Sequence, residues 1–283
     1  MADRTTAARL LDQLSDPERI TLETLAFIHE PVSTTVLLNC LHDLEQRDPF
    51  GKPLSFTRLS RRLETLRAKN LLTHAQQPVP EILEALCRGA VQNGAFAQIQ
   101  RVVRRHLPFF TDQGKWQSRC GRALRELRMA LYGQDLTQVI ESLDFISRHC
   151  PDINTQPSPI VTCVTSDFDR AWLSAQPLSL QFFVIDHILQ YGWSYFTACF
   201  DIVDYLEDES VFVDISSIER TPFLRLLATH YLLRGEPEKC ADLLAAHPEF
   251  FQGSGARGSL NFVAGRYNEA WNHFLHDQSD QHS

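Results

Sequence analysis

Apolar residues recur at the spacing of an α-helix through most of this 283-residue chain, and the alternation typical of strands is nearly absent. In LSRRLETLRAKNLL, Leu59, Leu63 and Leu66 stand at i, i+4 and i+7, the positions of one helical stripe. Residues 16–29 and 33–44 show the same period behind Ser or Asp residues that predict N-caps. The pattern predicts an all-α fold with the three leucines in the core.

Two segments near the C-terminus align with each other at a spacing of 30 residues. They are YLLRGEPEKCADLL at 231–244 and NFVAGRYNEAWNHF at 261–274, with Gly235 matching Gly265. Looser relatives of the pattern surround three further glycines: Gly94, Gly133 and Gly192. We expect each glycine to end one helix of a hairpin, because glycine readily adopts the conformation that closes a helix. Hairpins repeated at irregular spacing predict an irregular α-solenoid.

The pattern divides the chain into four regions. Within residues 1–78, the segments 16–29, 33–44 and 56–70 are predicted helices, the third of which is basic and leads into an extended LLTH. Residues 79–149 read as basic helical hairpins, and residues 167–283 carry the helical repeats. Between them, residues 150–166 hold three prolines and few helix formers, which predicts a long surface loop or an intrusion between hairpins.

Residues 1–78 resemble a winged helix-turn-helix domain, in which a basic, leucine-rich third helix runs into the first strand of the wing. Pro78 and Pro80 disfavour a second strand and favour a turn into a helix near Glu81, so we expect a truncated wing. The repeats resemble the tetratricopeptide pattern. Together they resemble the non-catalytic parts of bacterial multidomain ATPases, either signalling transcription activators or Swi/Snf-type helicase-like proteins. The resemblance implies a regulatory piece whose ATPase lies elsewhere.

The net charge of −8 is distributed unevenly along the chain. Residues 1–51 carry 4 basic and 9 acidic side chains, residues 52–128 carry 15 and 5, and residues 129–283 carry 8 and 21. The basic middle predicts a patch that faces a polyanion. Its candidate nucleic-acid-binding residues are Arg58, Arg61, Arg62, Arg67, Lys69, Arg101, Arg104, Arg105, Lys115, Arg119 and Arg122. The alternative is that several of them pair with the acidic C-terminal block.

Motifs of catalysis, cofactor binding and metal binding are missing from the sequence. The nearest approach to a phosphate loop, FQGSGARGS at 251–259, lacks the preceding apolar strand and the lysine of a P-loop. His273 and His276 stand at i and i+3 without a third ligand. We therefore expect no enzymatic activity, no cofactor and no metal.

The stretch FFVIDHILQYGWSYFTACF at 182–200 is apolar at nearly every helical angle. One interpretation is a fully buried pair of helices. The other is a partner-binding groove, since concave faces of helical repeats present aromatic side chains. The candidate partner-binding residues are Phe182, Phe183, Tyr191, Trp193 and Tyr195.

Seven scattered cysteines without a C-x-x-C pair predict free thiols in a reducing cytoplasm, and no apolar run is long enough to cross a membrane. The first functional hypothesis is a non-enzymatic regulatory module that binds a protein partner, or another domain of a larger bacterial ATPase assembly, through its repeats. The competing hypothesis is a DNA-binding regulator that uses the basic helix at 56–70 and the adjacent arginine stripes.

Overall fold

Helices account for all the regular structure in the part of the chain that the computed structural model describes, residues 11, 13–109, 116–150, 158–213 and 215–280. These residues form fifteen α-helices and two short 3₁₀ helices, with two isolated β-bridges and no strand. The all-α prediction is confirmed. The chain divides into two compact units, Met1–Asp169 and Arg170–Ser283.

The described residues of the first unit contain eight helices. They are α1 (Asp16–Ile28), α2 (Thr34–Asp43), α3 (Phe56–Ala68), α4 (Pro80–Gln92), α5 (Phe96–His106), α6 (Trp116–Tyr132), α7 (Leu136–His149) and α8 (Pro159–Thr165). Serine caps begin two of them, of which the one at Ser33 was expected. The Ser33 hydroxyl accepts the Val36 N–H at 3.3 Å before α2, and the Ser55 hydroxyl accepts the Arg58 N–H at 3.4 Å before α3.

Helix α1 lies at the centre of the first unit and packs against α2, α4, α5 and α6. Its Leu22, Phe27 and Ile28 have no solvent exposure. Residues on both sides of the predicted boundary at 78/79 therefore contribute to one core. The leucine stripe of α3 is buried as predicted, with exposures of 0%, 2% and 0% at Leu59, Leu63 and Leu66.

A short turn joins α3 to α4 at the position of the expected truncated wing. A single antiparallel bridge pairs Leu72 with Pro78, and the Thr73 N–H donates to the Gln77 carbonyl at 2.8 Å. Helix α4 then begins at Pro80, in agreement with the expected turn into a helix. The winged-helix likeness itself stays a prediction.

The prediction of a surface loop over residues 150–166 is wrong for its second half. Residues 159–165 form α8, and Ile160, Cys163 and Val164 are buried. Proline is favoured in the first turn of a helix, because the N–H groups there have no acceptor within the helix. Pro159 occupies such a position. Residues 151–157 lie outside the described part.

The described residues of the second unit contain seven further helices. They are α9 (Arg170–Ser174), α10 (Leu178–Tyr195), α11 (Phe200–Glu207), α12 (Ser217–Arg234), α13 (Pro237–Ala246), α14 (Ala256–Val263) and α15 (Tyr267–Asp280). The two 3₁₀ helices, Glu209–Phe212 and Pro248–Phe251, follow α11 and α13.

The 30-residue repeat corresponds to two consecutive hairpins, α12–α13 and α14–α15. Gly235 and Gly265 both have a positive φ, 74° and 76°, at the ends of α12 and α14. After each glycine, the next residue donates its N–H to the carbonyl five positions earlier at 2.8 Å. The two turns therefore have the same cap, as the alignment predicted. The likeness to tetratricopeptide repeats stays a prediction.

The looser glycine relatives behave differently from one another. Gly94 has a φ of 78° just after α4 and closes a hairpin as expected. At the end of α6 the left-handed residue is Gln134, with a φ of 60°, and not Gly133. The prediction is wrong for Gly192, which lies within α10 because the helix continues to Tyr195. A Cβ at Gly192 would lie 2.7 Å from the Cys199 sulfur, so a close approach explains this glycine.

A disulfide joins Cys120 of α6 to Cys150, the residue after α7, with 5.7 Å between their Cα atoms. The expectation of seven free thiols is wrong for this pair, since the α6–α7 hairpin brings together two cysteines that are 30 residues apart. The free cysteines are Cys40, Cys87, Cys163, Cys199 and Cys240. Among the helices of the described residues, none has the length and apolar character of a membrane span.

Candidate interaction surfaces

The basic side chains of α3 turn partly inward. Arg62 donates to the Pro17 carbonyl and to the Thr21 hydroxyl, both at 3.0 Å. The Lys69 ammonium lies 2.6 Å from a carboxylate oxygen of Glu18, whose other oxygen accepts hydrogen bonds from Ser15. These contacts tie α3 to α1, so two of the predicted nucleic-acid-binding residues have a structural role.

The remaining cations of α3 differ in their exposure. Arg58 is half-buried and lies 3.3 Å from the carboxylate of Asp48. Arg67 is also half-buried, and its Nε is shielded from solvent. Arg61 is exposed and has no ion pair with any residue that the structure describes. Of this group, Arg61 is the most available to a ligand.

The arginines of α5 and α6 also find partners within the first unit. Arg104 lies 2.8 Å from Glu126. The N-terminal segment supplies two further acids: Arg105 pairs with Asp43 at 3.0 Å, and the Arg122 Nε lies 3.6 Å from a Glu30 carboxylate oxygen.

Members of these arginine stripes therefore have acidic partners within the first unit, although Arg105 stays 74% exposed. That the three stripes share one face stays a prediction. Arg101 is exposed and Arg119 is half-buried, while Lys115 lies outside the described residues. The partners also differ from those of the alternative interpretation. They are acids of α1, α2, α6 and the segments on either side of α2, instead of acids from the C-terminal block.

A second set of charges is buried between α1, α4 and α6. Arg128 lies 2.6 Å from Glu84, which also accepts the Tyr132 hydroxyl at 2.6 Å. An Arg128 nitrogen lies 2.6 Å from Nδ1 of His29, and burial together with this guanidinium holds the His29 pKa well below its usual value. Nδ1 of neutral His29 accepts a hydrogen bond from Arg128, whereas Nε of the same guanidinium is buried without a hydrogen-bond partner among the described residues. The network holds three helices together.

The turn between α2 and α3 presents an aromatic residue that the sequence interpretation overlooked. Phe50 is 76% exposed, and the Arg58 guanidinium carbon lies 5.0 Å from the centre of its ring. The sequence DPFG indicates a surface turn, in which a side chain between Pro49 and Gly51 does not reach the core.

The predicted aromatic groove at 182–200 is only partly exposed. Phe182, Phe183, Tyr191 and Trp193 are half-buried, whereas Tyr195 is 48% exposed. Phe182 packs edge-to-face on Phe223, and the Trp193 N–H donates to Nδ1 of His230 at 3.1 Å. The most exposed aromatics of this region are Phe196 and Phe200, at 89% and 71%. Neither interpretation of the stretch is therefore complete, because one face of α10 is buried whereas the aromatic side chains at and just after its C-terminal end are exposed.

The last hairpin carries a second exposed apolar surface. Tyr267, Trp271 and Leu275 follow one another at i, i+4 and i+8 on α15, with exposures of 64%, 65% and 49%. Phe262 of α14 is 58% exposed, and its ring packs against that of Tyr267 at 5.4 Å. We call these four residues the terminal aromatic face. The repeat alignment pairs them with positions of the preceding hairpin, but only the structure shows that some of those positions are covered.

Comparison with known proteins gave no match to a family, to a curated protein or to a solved structure. In the described residues, no group of three or more His, Cys, Asp or Glu side chains has an arrangement that could hold a metal ion. The surfaces of this chain are therefore the basis for a proposed function.

Proposed function

We propose that the chain is a non-enzymatic interaction module that binds a helical segment of a protein partner through the terminal aromatic face. The observation that carries this proposal is the exposure of four large apolar side chains on one contiguous surface of the last hairpin. Contiguous exposed apolar surface marks protein interaction sites, and aromatic residues supply much of the energy at such sites.

The internal repeat supports a helical occupant. Phe262, Tyr267 and Trp271 have three half-buried equivalents in the α12–α13 hairpin: Leu232, Pro237 and Ala241. The α14–α15 hairpin packs against α12 and α13, and Phe262 and Val263 form a cavity with Leu232 and Leu233. Stacking of one hairpin on the next is thus the established contact on this side of the repeat. A helix of the partner would continue it.

The cavity beside the terminal aromatic face offers room for an anchoring side chain. It has a volume of about 290 Å³ and lies between α12 and α14, with Thr229, Ser259 and Phe274 also in its wall. An amphipathic helix with a large apolar residue at the centre of its binding face fits such a site. The resemblance to bacterial multidomain ATPases makes a domain of such an assembly the first partner to test.

A photo-crosslinking experiment tests the proposal. A photoreactive phenylalanine analogue replaces Tyr267 in the full chain, and the crosslinked peptide of the partner is identified by mass spectrometry. Ile218, an 83% exposed residue of α12, serves as the matched position elsewhere in the second unit. The peptide is then synthesised and titrated against the native chain and Trp271→Ala. We expect a helical peptide that crosslinks only at Tyr267 and binds Trp271→Ala at least tenfold more weakly.

Two results would overturn the proposal. One is equal crosslinking at both positions, which indicates a random encounter. The other is a peptide whose affinity is unchanged by Trp271→Ala, since the central aromatic residue of the face would then contribute nothing.

A further inference from the structure

The turn between α2 and α3 is rigid because one buried carboxylate organises it. Oδ1 of Asp48 accepts the Phe50 N–H at 2.8 Å and the Lys52 N–H at 2.9 Å. The Gly51 N–H donates to the Asp48 carbonyl, and an antiparallel bridge joins Arg47 to Pro53. Phe50 therefore stands at a fixed position on the tip of the turn.

One side of the Phe50 ring lies against Arg58, and the 76% exposure of the residue leaves the ring accessible on the other side. The exposed cations nearby are Arg47, Lys52 and Arg61. Residues 47–62 contain five cationic side chains and a single carboxylate, which belongs to Asp48 and is already paired with Arg58. This surface thus combines an exposed aromatic ring with an excess of positively charged side chains.

A groove of about 620 Å³ runs between the turn and α3. Phe50, Arg58, Arg61, Arg62 and Thr65 line it together with residues of the turn. Glu18, the acid in its wall, is bound to Lys69 at 2.6 Å. The available charge in the groove is therefore positive.

We infer that this groove binds single-stranded nucleic acid, with one base stacked on the open side of Phe50 and the adjoining phosphates bound by Arg58 and Arg61. Unpaired bases stack on aromatic rings, and cations beside the ring hold the backbone, which is the combination that single-strand-binding surfaces use. This site goes beyond the proposed function and lies in the other unit, so each proposal stands or fails separately.

The geometry favours a single strand over a duplex. A paired base cannot leave its stack to meet Phe50 without a cost in free energy. In addition, Arg62 and Lys69 are held by α1, which reduces the number of phosphate contacts that α3 can offer to a duplex groove. An acidic peptide would meet the same cations, but its carboxylate side chains do not stack on Phe50.

Fluorescence anisotropy with labelled twelve-residue oligothymidine and oligouridine, each at two salt concentrations, tests the inference. We expect Phe50→Ala to weaken binding by about tenfold at both salt concentrations, because stacking is lost while the charges stay. Phe50→Trp should retain binding. Arg61→Glu should weaken binding mainly at low salt and reduce the salt dependence, because a phosphate contact is lost. The two oligonucleotides show whether DNA or RNA binds better.

Two matched variants separate the groove from general electrostatics. Phe56→Ala removes a 53% exposed phenylalanine that does not line the groove, and Arg101→Glu reverses an exposed arginine of α5. Both should bind as the native chain does. Three outcomes would overturn the inference. The first two are the absence of saturable binding and an equal loss of affinity in the matched variants. The third is an oligonucleotide that polyglutamate displaces and that binds Phe50→Ala as tightly as the native chain.

Discussion

Removal of the Cys120–Cys150 disulfide should destabilise the α6–α7 hairpin. The bond closes a loop over a separation of 30 residues, and it restrains the unfolded chain far more than the folded hairpin. In the chain-entropy treatment, a loop of this length corresponds to about 4 kcal/mol of unfolding free energy at 25 °C. With a urea dependence of about 2 kcal/mol per molar, the midpoint of unfolding should fall by about 2 M.

Urea unfolding with and without a phosphine reductant measures this loss in the native chain and in Cys120→Ala/Cys150→Ala. Hydrogen exchange of peptides from α6 and α7 follows the first unit separately from the second, which matters because two units need not unfold together. Reductant should shift the native midpoint and leave that of the variant unchanged. Equal shifts of the urea midpoint in both proteins would refute the reasoning. Full alkylation of both cysteines before reduction would also refute it, because they would then be the free thiols that the sequence predicts.

Three further perturbations test the core of the first unit. Glu23 is 1% exposed, and burial raises its pKa from 4.5 to about 7. Ionisation therefore costs stability as pH rises through this interval, so Glu23→Gln should gain roughly 3 kcal/mol over the native chain between pH 4 and pH 8 in urea titrations. Arg128→Met leaves the buried Glu84 carboxylate without its cation and should cost about 3–5 kcal/mol, whereas the exposed Arg101→Met should change unfolding by less than about 0.5 kcal/mol. Leu63→Ala should cost about 2–5 kcal/mol in thermal or urea unfolding, because it opens a cavity beneath α3.

The features that the sequence predicted correctly are local ones. The leucine stripe of α3 follows from a spacing within one helix, and the cap at Ser33 depends on the residue three positions away. Gly235 and Gly265 close their helices because an αL residue is needed at that position. Such interactions connect neighbours in the chain, so a linear pattern contains them.

The features that escaped prediction depend on contacts between distant residues. Arg105 and Asp43 are 62 residues apart, and no pattern in either segment selects the other. Gly192 resembled a helix-ending glycine, but its role comes from the approach of Cys199. The terminal aromatic face is recognisable only when the folded preceding hairpin shows which positions are covered. Phe50 is the exception, because its exposure follows from a local turn that Asp48 fixes.

The pairing of α3, α5 and α6 with acids of the N-terminal segment has a practical consequence for work with fragments. Glu18, Glu30, Asp43 and Asp48 act as built-in counter-ions for cations that lie later in the chain. A fragment that spans residues 56–128, from the start of α3, loses all four and has 14 basic and 5 acidic side chains, a net charge of +9. Such a fragment would bind heparin or DNA as a bare polycation, and that affinity would be a product of the truncation and not a property of the intact chain.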